Sequence, residues 1–213
     1  MTTLMLIRHG QSNTNHERAF TGQLDARLSD LGIQQAALAA EGLLKICRPD
    51  QIYASDLSRA METAAPLSQR LNLKVIPDCR LREIFVPSWQ GHKFSELAEV
   101  YPEMCEIWFH DIGNFMGPDG ESMRDLAARI ENCLRALCAE NEGKVIAVVT
   151  HATPIRAMQT LWTYGDMNRM KDVPWCNNAS ITCAQYDGNR FSLLYANRSE
   201  HLGEMLTTMP VRA

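Results

Sequence analysis

Two short runs of apolar residues, far apart in the chain, each end in a histidine. The first covers residues 3–7 and leads into Arg8-His9-Gly10, and the second covers residues 144–149 and leads into Thr150-His151. Apolar runs of this length predict strands that are buried on both faces of a sheet. If these strands are parallel neighbours, both histidines lie beyond the same edge of the sheet, where ligands bind in such folds.

Strand and helix patterns alternate through most of the 213 residues. Further strands are predicted at residues 51–54, 74–76, 179–186 and 190–196, and a hairpin turn at 187–189 joins the last two. Helices are predicted over residues 30–46 with Ser29 as the N-cap, from a cap at Ser55 or Asp56 to residue 71, over 121–140, and after Pro154. This alternation predicts a single α/β domain over residues 1–213, with three α/β/α layers and a mostly parallel sheet.

The segment 85–120 breaks this alternation. It contains Pro87, Pro102 and Pro118 together with several aromatic residues, and proline interrupts helices and strands alike. We expect short helices and loops here, forming an irregular cap or lid over a site. The aromatic residues of this region fit either the core or the wall of a substrate pocket.

Composition narrows the classes of partner. The formal net charge of -4 gives no electrostatic reason to expect nucleic-acid binding, and no apolar run reaches the roughly 20 residues that span a bilayer. The seven cysteines are scattered, without a CxxC pair or zinc-finger spacing, which favours a reducing compartment and therefore a cytoplasmic location. Composition leaves a monomer and a homodimer equally open.

The residues at the expected sheet edge suit phosphoryl chemistry. Arg8 beside His9, and Arg59 early in the helix after the second strand, offer guanidinium groups that match phosphate oxygens. A neutral imidazole can attack phosphorus, and His151 can help to neutralise the phosphoryl group if it is charged. Glu83 follows the third strand and is the carboxyl group best placed to protonate a leaving oxygen.

Residues 6–12 read Leu-Ile-Arg-His-Gly-Gln-Ser, which resembles the Arg-His-Gly signature of the histidine phosphatase superfamily, also called phosphoglycerate-mutase-like. One such tripeptide is a weak signal. Further segments resemble that family in the same order along almost the whole chain, namely Asn15, 21–25, 28–29, 53–64, 81–84, 120–122 and 148–151.

The resemblance implies a role for each matching position. His9 would be the phosphorylated nucleophile, and Glu83 would be the proton donor and then the base. Arg8, Arg59 and His151 would bind the phosphoryl group. The phosphate and substrate pocket would also include Asn15, Thr21, Gly22, Gln23 and Ala152. The family uses no metal or nucleotide cofactor. The resemblance also implies that the partner is a small phosphomonoester.

Three positions depart from the common family pattern. Ala152 stands where the family usually has glycine, and this is tolerable only if the backbone keeps a negative φ. Gln90 replaces a usual glutamate, and Pro87 stiffens the neighbouring turn. These differences concern the fit of the substrate more than the phosphoryl chemistry.

The prediction is a metal-independent phosphomonoesterase that works through a phosphohistidine. A cofactor-dependent phosphoglycerate mutase is one alternative, although the mutases of this family are longer and have a different acid segment. A catalytically inactive binding or regulatory protein of the same fold is another, and it predicts loss of a central residue. Glu121 and Ser122 are interpreted mainly as the start of a helix, and Asn177 and Asn178 as turn residues.

Overall fold

The computed structural model describes residues 1–17 and 19–207, apart from the side chain of residue 16. These residues form a mixed sheet with helices on both faces. Its strands are β1 Thr2–Arg8, β2 Gln51–Ala54, β3 Val75–Pro77, β4 Val145–Thr150, β5 Ile181–Tyr186 and β6 Phe191–Arg198. The strand order is β3-β2-β4-β1-β5-β6. Strands β1 to β4 pair in parallel, whereas β5 is antiparallel to both of its neighbours, so the predicted mostly parallel α/β sheet is confirmed.

The helices cover the two faces of this sheet. They are α1 Asn13–His16, α2 Asp30–Ile46, α3 Ser58–Leu71, α4 Phe94–Val100, α5 Pro102–His110, α6 Met123–Glu140 and α7 Ala152–Tyr164. Alternate residues of a strand point to opposite faces. Leu4 and Leu6 of β1 accordingly pack in one core with α6 and α7, while Met5 and Ile7 pack in a second core with α2 and α3. The three-layer α/β/α arrangement follows from this alternation.

The predicted cap of α3 was wrong. The N-cap residue is Leu57, which provides no side-chain hydrogen bond. Asp56 instead forms a two-point ion pair with Arg82. The first turn of α3 is capped from a distance, because the Asp25 carboxylate accepts hydrogen bonds from the backbone N–H and the hydroxyl of Ser58.

Residues 85–120 contain the expected short helices, α4 and α5, which follow each other with one residue, Tyr101, between them. Trp89 and Phe115 are almost completely buried, and their rings meet edge to face with centroids 5.0 Å apart. Phe85 and Phe109 remain partly exposed. Aromatic packing, rather than regular secondary structure, therefore anchors this segment to the domain. Within the described residues, no helix is long and apolar enough to cross a membrane.

The register of the sheet brings the two histidine segments together. Arg8 at the end of β1 pairs with Thr150 at the end of β4, and β2, also parallel to β4, ends nearby at Ala54. The backbone N–H of His9 donates to the carbonyl oxygen of Thr150 at 2.9 Å. The expectation that both histidines follow neighbouring strands is confirmed.

Candidate active site

The His9 ring is held in one tautomer by its own backbone. Its Nδ1 atom lies 2.6 Å from the carbonyl oxygen of Gly10. Because a carbonyl oxygen can only accept, Nδ1 carries the proton, and Nε2 of the neutral ring keeps its lone pair. Four further contacts hold this short segment in place. The carbonyl oxygen of His9 accepts hydrogen bonds from the Ala179 N–H and the Asn178 side-chain amide. The backbone N–H of His9 donates to β4, and the Gly10 N–H donates to the Thr63 hydroxyl.

The His151 ring lies beside that of His9. The two ring centroids are 5.1 Å apart and the planes meet at 62°. His151 is the N-cap residue of α7 and is completely buried. Its Nε2 atom lies 2.8 Å from the hydroxyl of Ser55, which follows β2, whereas its buried Nδ1 atom has no partner among the described residues.

Two buried arginines flank these rings. Arg8 donates from Nη1 to the carbonyl oxygen of Cys176 at 2.6 Å. Arg59 donates from Nη1 to the carbonyl oxygen of Leu24 at 2.7 Å and from Nη2 to that of Gly22 at 2.8 Å. These backbone contacts hold both guanidinium groups at the site. Guanidinium groups are cationic and match the geometry of phosphate oxygens, so the pair can bind an anion.

The Glu83 carboxyl group completes the site. Its Oε1 atom accepts a bond from the Ile84 N–H at 2.8 Å, and Oε2 accepts one from the Thr153 N–H at 3.3 Å. Thr153 lies in the first turn of α7, two residues after His151. The acid is thus held between the segment that follows β3 and the start of the helix that carries the second histidine.

Burial dominates the titration of these groups. It holds the pKa of His9 well below its ordinary value, and the positive charges of Arg59 and Arg8 lower it further. The pKa of His151 is also well below its ordinary value, because of burial and then the charge of Arg59. Burial raises the pKa of Glu83, although the two N–H contacts oppose this shift. The lowered pKa values keep both rings uncharged near neutral pH. The charged His151 considered from the sequence therefore requires an anion beside the ring that raises its pKa.

These side chains open onto one cleft that faces solvent. The cationic and acidic groups in its lining are Arg8, Arg59 and Glu83. Beyond them the wall is largely aromatic, formed by Phe20, Phe94, Trp108 and Trp175. The lining therefore offers cationic groups for a phosphate and aromatic side chains for a less polar group.

The structure gathers most of the sequence-predicted residues at this cleft. Its lining includes Arg8, His9, Asn15, Thr21, Gly22, Arg59, Glu83 and Ala152. His151 and Gln23 are not lining residues, but the ring of His151 contacts that of His9 and Gln23 contacts two residues near the cleft. The Gln23 N–H donates to Gln90 Oε1 at 2.7 Å, and its side-chain amide donates to the Glu83 carbonyl oxygen at 3.0 Å. The Gln23 N–H is therefore already engaged within the protein.

The departures from the family pattern are accommodated locally. Ala152 is the first residue of α7 and is not among the residues with positive φ. Gln90 retains an acceptor oxygen, which is the atom that binds the Gln23 N–H. Pro87 lies at the start of a short 3-10 helix, where its lack of an N–H costs no hydrogen bond.

Several residues of the site were missed in the sequence. Asn178, interpreted as a turn residue, is buried and holds the backbone of His9. Ser55, interpreted as a helix cap, instead contacts His151. Thr153 and Trp175 reach the cleft from α7 and from the loop before β5. Nothing in their local sequence pattern distinguishes these residues, because each acquires its position through a contact distant in the chain.

Comparison with known proteins agrees with this geometry. The model of the histidine phosphatase superfamily (branch 1) matches residues 4–199. Phosphoserine phosphatase 1 of Hydrogenobacter thermophilus is 32% identical over 204 residues, which cover 96% of each chain. Among solved structures, Bacillus stearothermophilus YhfR has a TM-score of 0.89 at 25% identity, covering 95% of this chain and 100% of its own. A mycobacterial glucosyl-3-phosphoglycerate phosphatase complexed with VO3 has a TM-score of 0.84 at 33% identity, covering 92% and 99%.

The family match and these relatives extend over almost the full length of the chain, and the matching region contains the two histidines, the two arginines and the glutamate of the cleft. This chain therefore belongs to the histidine phosphatase superfamily.

Proposed function

We propose that this histidine phosphatase hydrolyses a small phosphomonoester without a metal, through a phosphohistidine on His9. The observation that carries the proposal is the hydrogen bond between His9 Nδ1 and the Gly10 carbonyl oxygen. It leaves the lone pair on Nε2, in a ring that burial and neighbouring arginines keep uncharged. An uncharged imidazole with a fixed tautomer is ready to act as a nucleophile.

In the first step, His9 Nε2 attacks phosphorus and the bond between phosphorus and the leaving oxygen breaks. Arg8 and Arg59 bind the non-bridging oxygens, since guanidinium groups stabilise the charge of a transferring phosphoryl group. Glu83 gives its proton to the leaving oxygen, which departs as a neutral alcohol. The raised pKa of Glu83 favours the protonated form that this step requires.

In the second step, water attacks the phosphorus of the phosphohistidine and the bond between nitrogen and phosphorus breaks. Glu83, now a carboxylate, takes a proton from that water, and His9 returns to its neutral form. His151 is buried beside His9, and a phosphoryl dianion there raises the pKa of its ring through an opposite charge. His151 thus adds a further donor to the phosphoryl site once the substrate is bound.

The aromatic end of the cleft receives the alcohol part of the substrate. Phe94 of α4 and Trp108 of α5 both belong to the lining, which supports the proposal that residues 85–120 act as a cap over the leaving group. The relatives named as phosphatases of phosphoserine and glucosyl-3-phosphoglycerate support a small phosphorylated metabolite as the substrate class. The free state of all seven cysteines supports action in a reducing compartment such as the cytoplasm.

A trapping experiment tests the covalent step. The protein is mixed with a phosphomonoester radiolabelled in its phosphate and is quenched in alkaline detergent within milliseconds. We expect label on the protein that is stable in alkali and lost in acid, as for a bond between phosphorus and nitrogen. The His9→Ala variant should carry no label and should release no phosphate.

The His110→Ala variant is a matched control, because His110 is an exposed residue at the end of α5 whose side chain pairs with Glu106. It should be labelled like the wild type. Release of label to water supports the phosphatase, whereas its transfer to a second alcohol would identify the mutase. Wild-type phosphate release by His9→Ala would refute the proposed mechanism.

A further inference from the structure

The Gly120-Glu121-Ser122 segment contacts the part of the backbone that carries Glu83. Ser122 is the N-cap of α6, but Glu121 contacts Phe85. The Glu121 N–H donates to the Phe85 carbonyl oxygen at 2.7 Å, and the Glu121 carboxylate accepts from the Phe85 N–H at 3.1 Å. Gly120 has a φ of +81°, and a Cβ atom there would collide with the Phe85 carbonyl oxygen. Glycine is therefore what allows this close approach.

Arg129 of α6 binds both Glu121 and the neighbouring region that carries Glu83. Its Nε and Nη2 atoms donate to the two carboxylate oxygens of Glu121 at 2.6 and 2.7 Å. Its Nη1 atom donates to the carbonyl oxygens of Arg80 at 2.7 Å and Arg82 at 2.9 Å, and Nη2 reaches that of Glu83 at 3.3 Å. The side chains of Arg129 and Glu121 are only 22% and 19% exposed. We call residues 80–85 the acid segment.

The acid segment has other restraints as well, since Thr150 Oγ1 donates to the Leu81 carbonyl oxygen at 2.7 Å and Arg82 forms an ion pair with Asp56. Arg129 differs from these in binding three carbonyl oxygens of the segment's backbone at once. Apart from the short 3-10 helix Cys79–Leu81, the acid segment lies in neither a helix nor a strand, so no regular hydrogen-bond ladder sets its position. A guanidinium group has five N–H donors in a rigid fork, and Arg129 directs this fork at three carbonyl oxygens and one carboxylate. Such a buried network fixes backbone position more tightly than separate contacts do.

We propose that Arg129 and Glu121 are positioning residues that hold Glu83 where it protonates the leaving oxygen. The proposal rests on the role of Glu83 in the proposed function. A general acid must stay within hydrogen-bond reach of the oxygen that it protonates, and Arg129 binds the carbonyl oxygen of Glu83 itself. Neither Arg129 nor Glu121 belongs to the lining of the cleft, so both act through Glu83 rather than on the substrate.

The leaving group provides a readout that a purely structural role would not change. A simple alkoxide is strongly basic and needs a proton to leave, whereas 4-nitrophenolate leaves readily without one. General acid catalysis contributes about 100- to 10,000-fold, so partial displacement of Glu83 in Arg129→Met should lower kcat/KM for propyl phosphate about tenfold more than for 4-nitrophenyl phosphate. The kcat/KM value reports phosphoryl transfer to the enzyme and is independent of the later hydrolysis.

Arg135→Met is the matched control. Arg135 lies on the same helix and pairs with Glu131, but it has no contact with the acid segment among its hydrogen bonds. Its ratio of kcat/KM for the two esters should equal that of the wild type. Glu121→Gln keeps one acceptor oxygen for the Phe85 N–H, but it removes the charge and one of the two acceptors that bind Arg129. It should show a smaller selective loss, and it serves as the test if thermal unfolding shows that Arg129→Met is not folded.

Glu83→Gln separates failure of this proposal from failure of the mechanism. It should show the largest selective loss of activity on propyl phosphate. If Glu83→Gln is selective but Arg129→Met and Glu121→Gln, both folded, lose activity equally on the two esters, the positioning role is wrong. If Glu83→Gln itself shows no selectivity, the acid role of Glu83 is wrong and the positioning role falls with it.

Discussion

Gly22 offers a sharp test of how the phosphate end of the cleft is held. It adopts a φ of +51°, and a Cβ atom there would lie 2.7 Å from the Gln90 Oε1 atom. That same oxygen accepts the Gln23 N–H bond. In addition, the carbonyl oxygen of Gly22 accepts a bond from Arg59. Gly22→Ala therefore strains the backbone, displaces the Gln90 side chain and disturbs the anchor of Arg59.

The loss of stability in Gly22→Ala has two parts. A non-glycine residue in the left-handed region costs about 1–2 kcal/mol, and loss of the Gln23 N–H bond costs about 0.5–1.5 kcal/mol. The free energy of unfolding should therefore fall by about 1.5–3.5 kcal/mol. Loosening the Arg59 contact removes a hydrogen bond to a charged group, which contributes about 1.5–3 kcal/mol. If this loss is expressed in the transition state, kcat/KM should fall by about 10- to 150-fold.

Gly165→Ala is the matched control for the backbone cost. Gly165 has a φ of +67° and no atom within 4 Å of the position of an added Cβ, and it lies at the end of α7, away from the cleft lining. It should lose about 1–2 kcal/mol of stability while keeping the wild-type kcat/KM. Urea unfolding and steady-state kinetics with 4-nitrophenyl phosphate measure both quantities. Equal kcat/KM for the two variants would refute the link between Gly22 and Arg59.

Three further predictions follow from the same site. Phosphoryl transfer needs neutral His9 and protonated Glu83, so kcat/KM should rise as pH rises through the lowered pKa of His9 and fall as pH rises through the raised pKa of Glu83. A pH profile on an alkyl phosphate checks this, and Glu83→Gln should remove the falling limb. Trp175→Ala should raise KM for an aryl phosphate by up to about tenfold with little change in kcat, since aromatic contacts contribute about 0.5–1.5 kcal/mol. An unchanged KM would mean that the alcohol part of the substrate does not contact the aromatic wall of the cleft. Ser55→Ala should lower the free energy of unfolding by about 1–3 kcal/mol, because the buried His151 Nε2 atom loses its hydrogen-bond partner. A denaturant titration that shows no change in this free energy would contradict the importance of the contact.

The alternation of strands and helices, and the residues that meet at the sheet edge, could be predicted from the sequence. Apolar periodicity is a local property, and it placed His9 and His151 directly after buried strands. Parallel pairing then brings the carboxyl ends of those strands to one edge, whatever lies between them in the chain. The ordered segments that resemble the family predicted that Arg59 and Glu83 lie at this edge as well.

Only the tertiary structure could decide how these groups are held. The roles of Asn178, Ser55 and Arg129 depend on contacts between residues that are 46 or more positions apart, and no local pattern encodes such a contact. The tautomer of His9 likewise follows from one short hydrogen bond in the folded chain. The amino-acid sequence alone establishes which chemical groups and which strand ends are available. Folding decided their protonation and support, because burial and long-range hydrogen bonds exist only once distant segments have packed together.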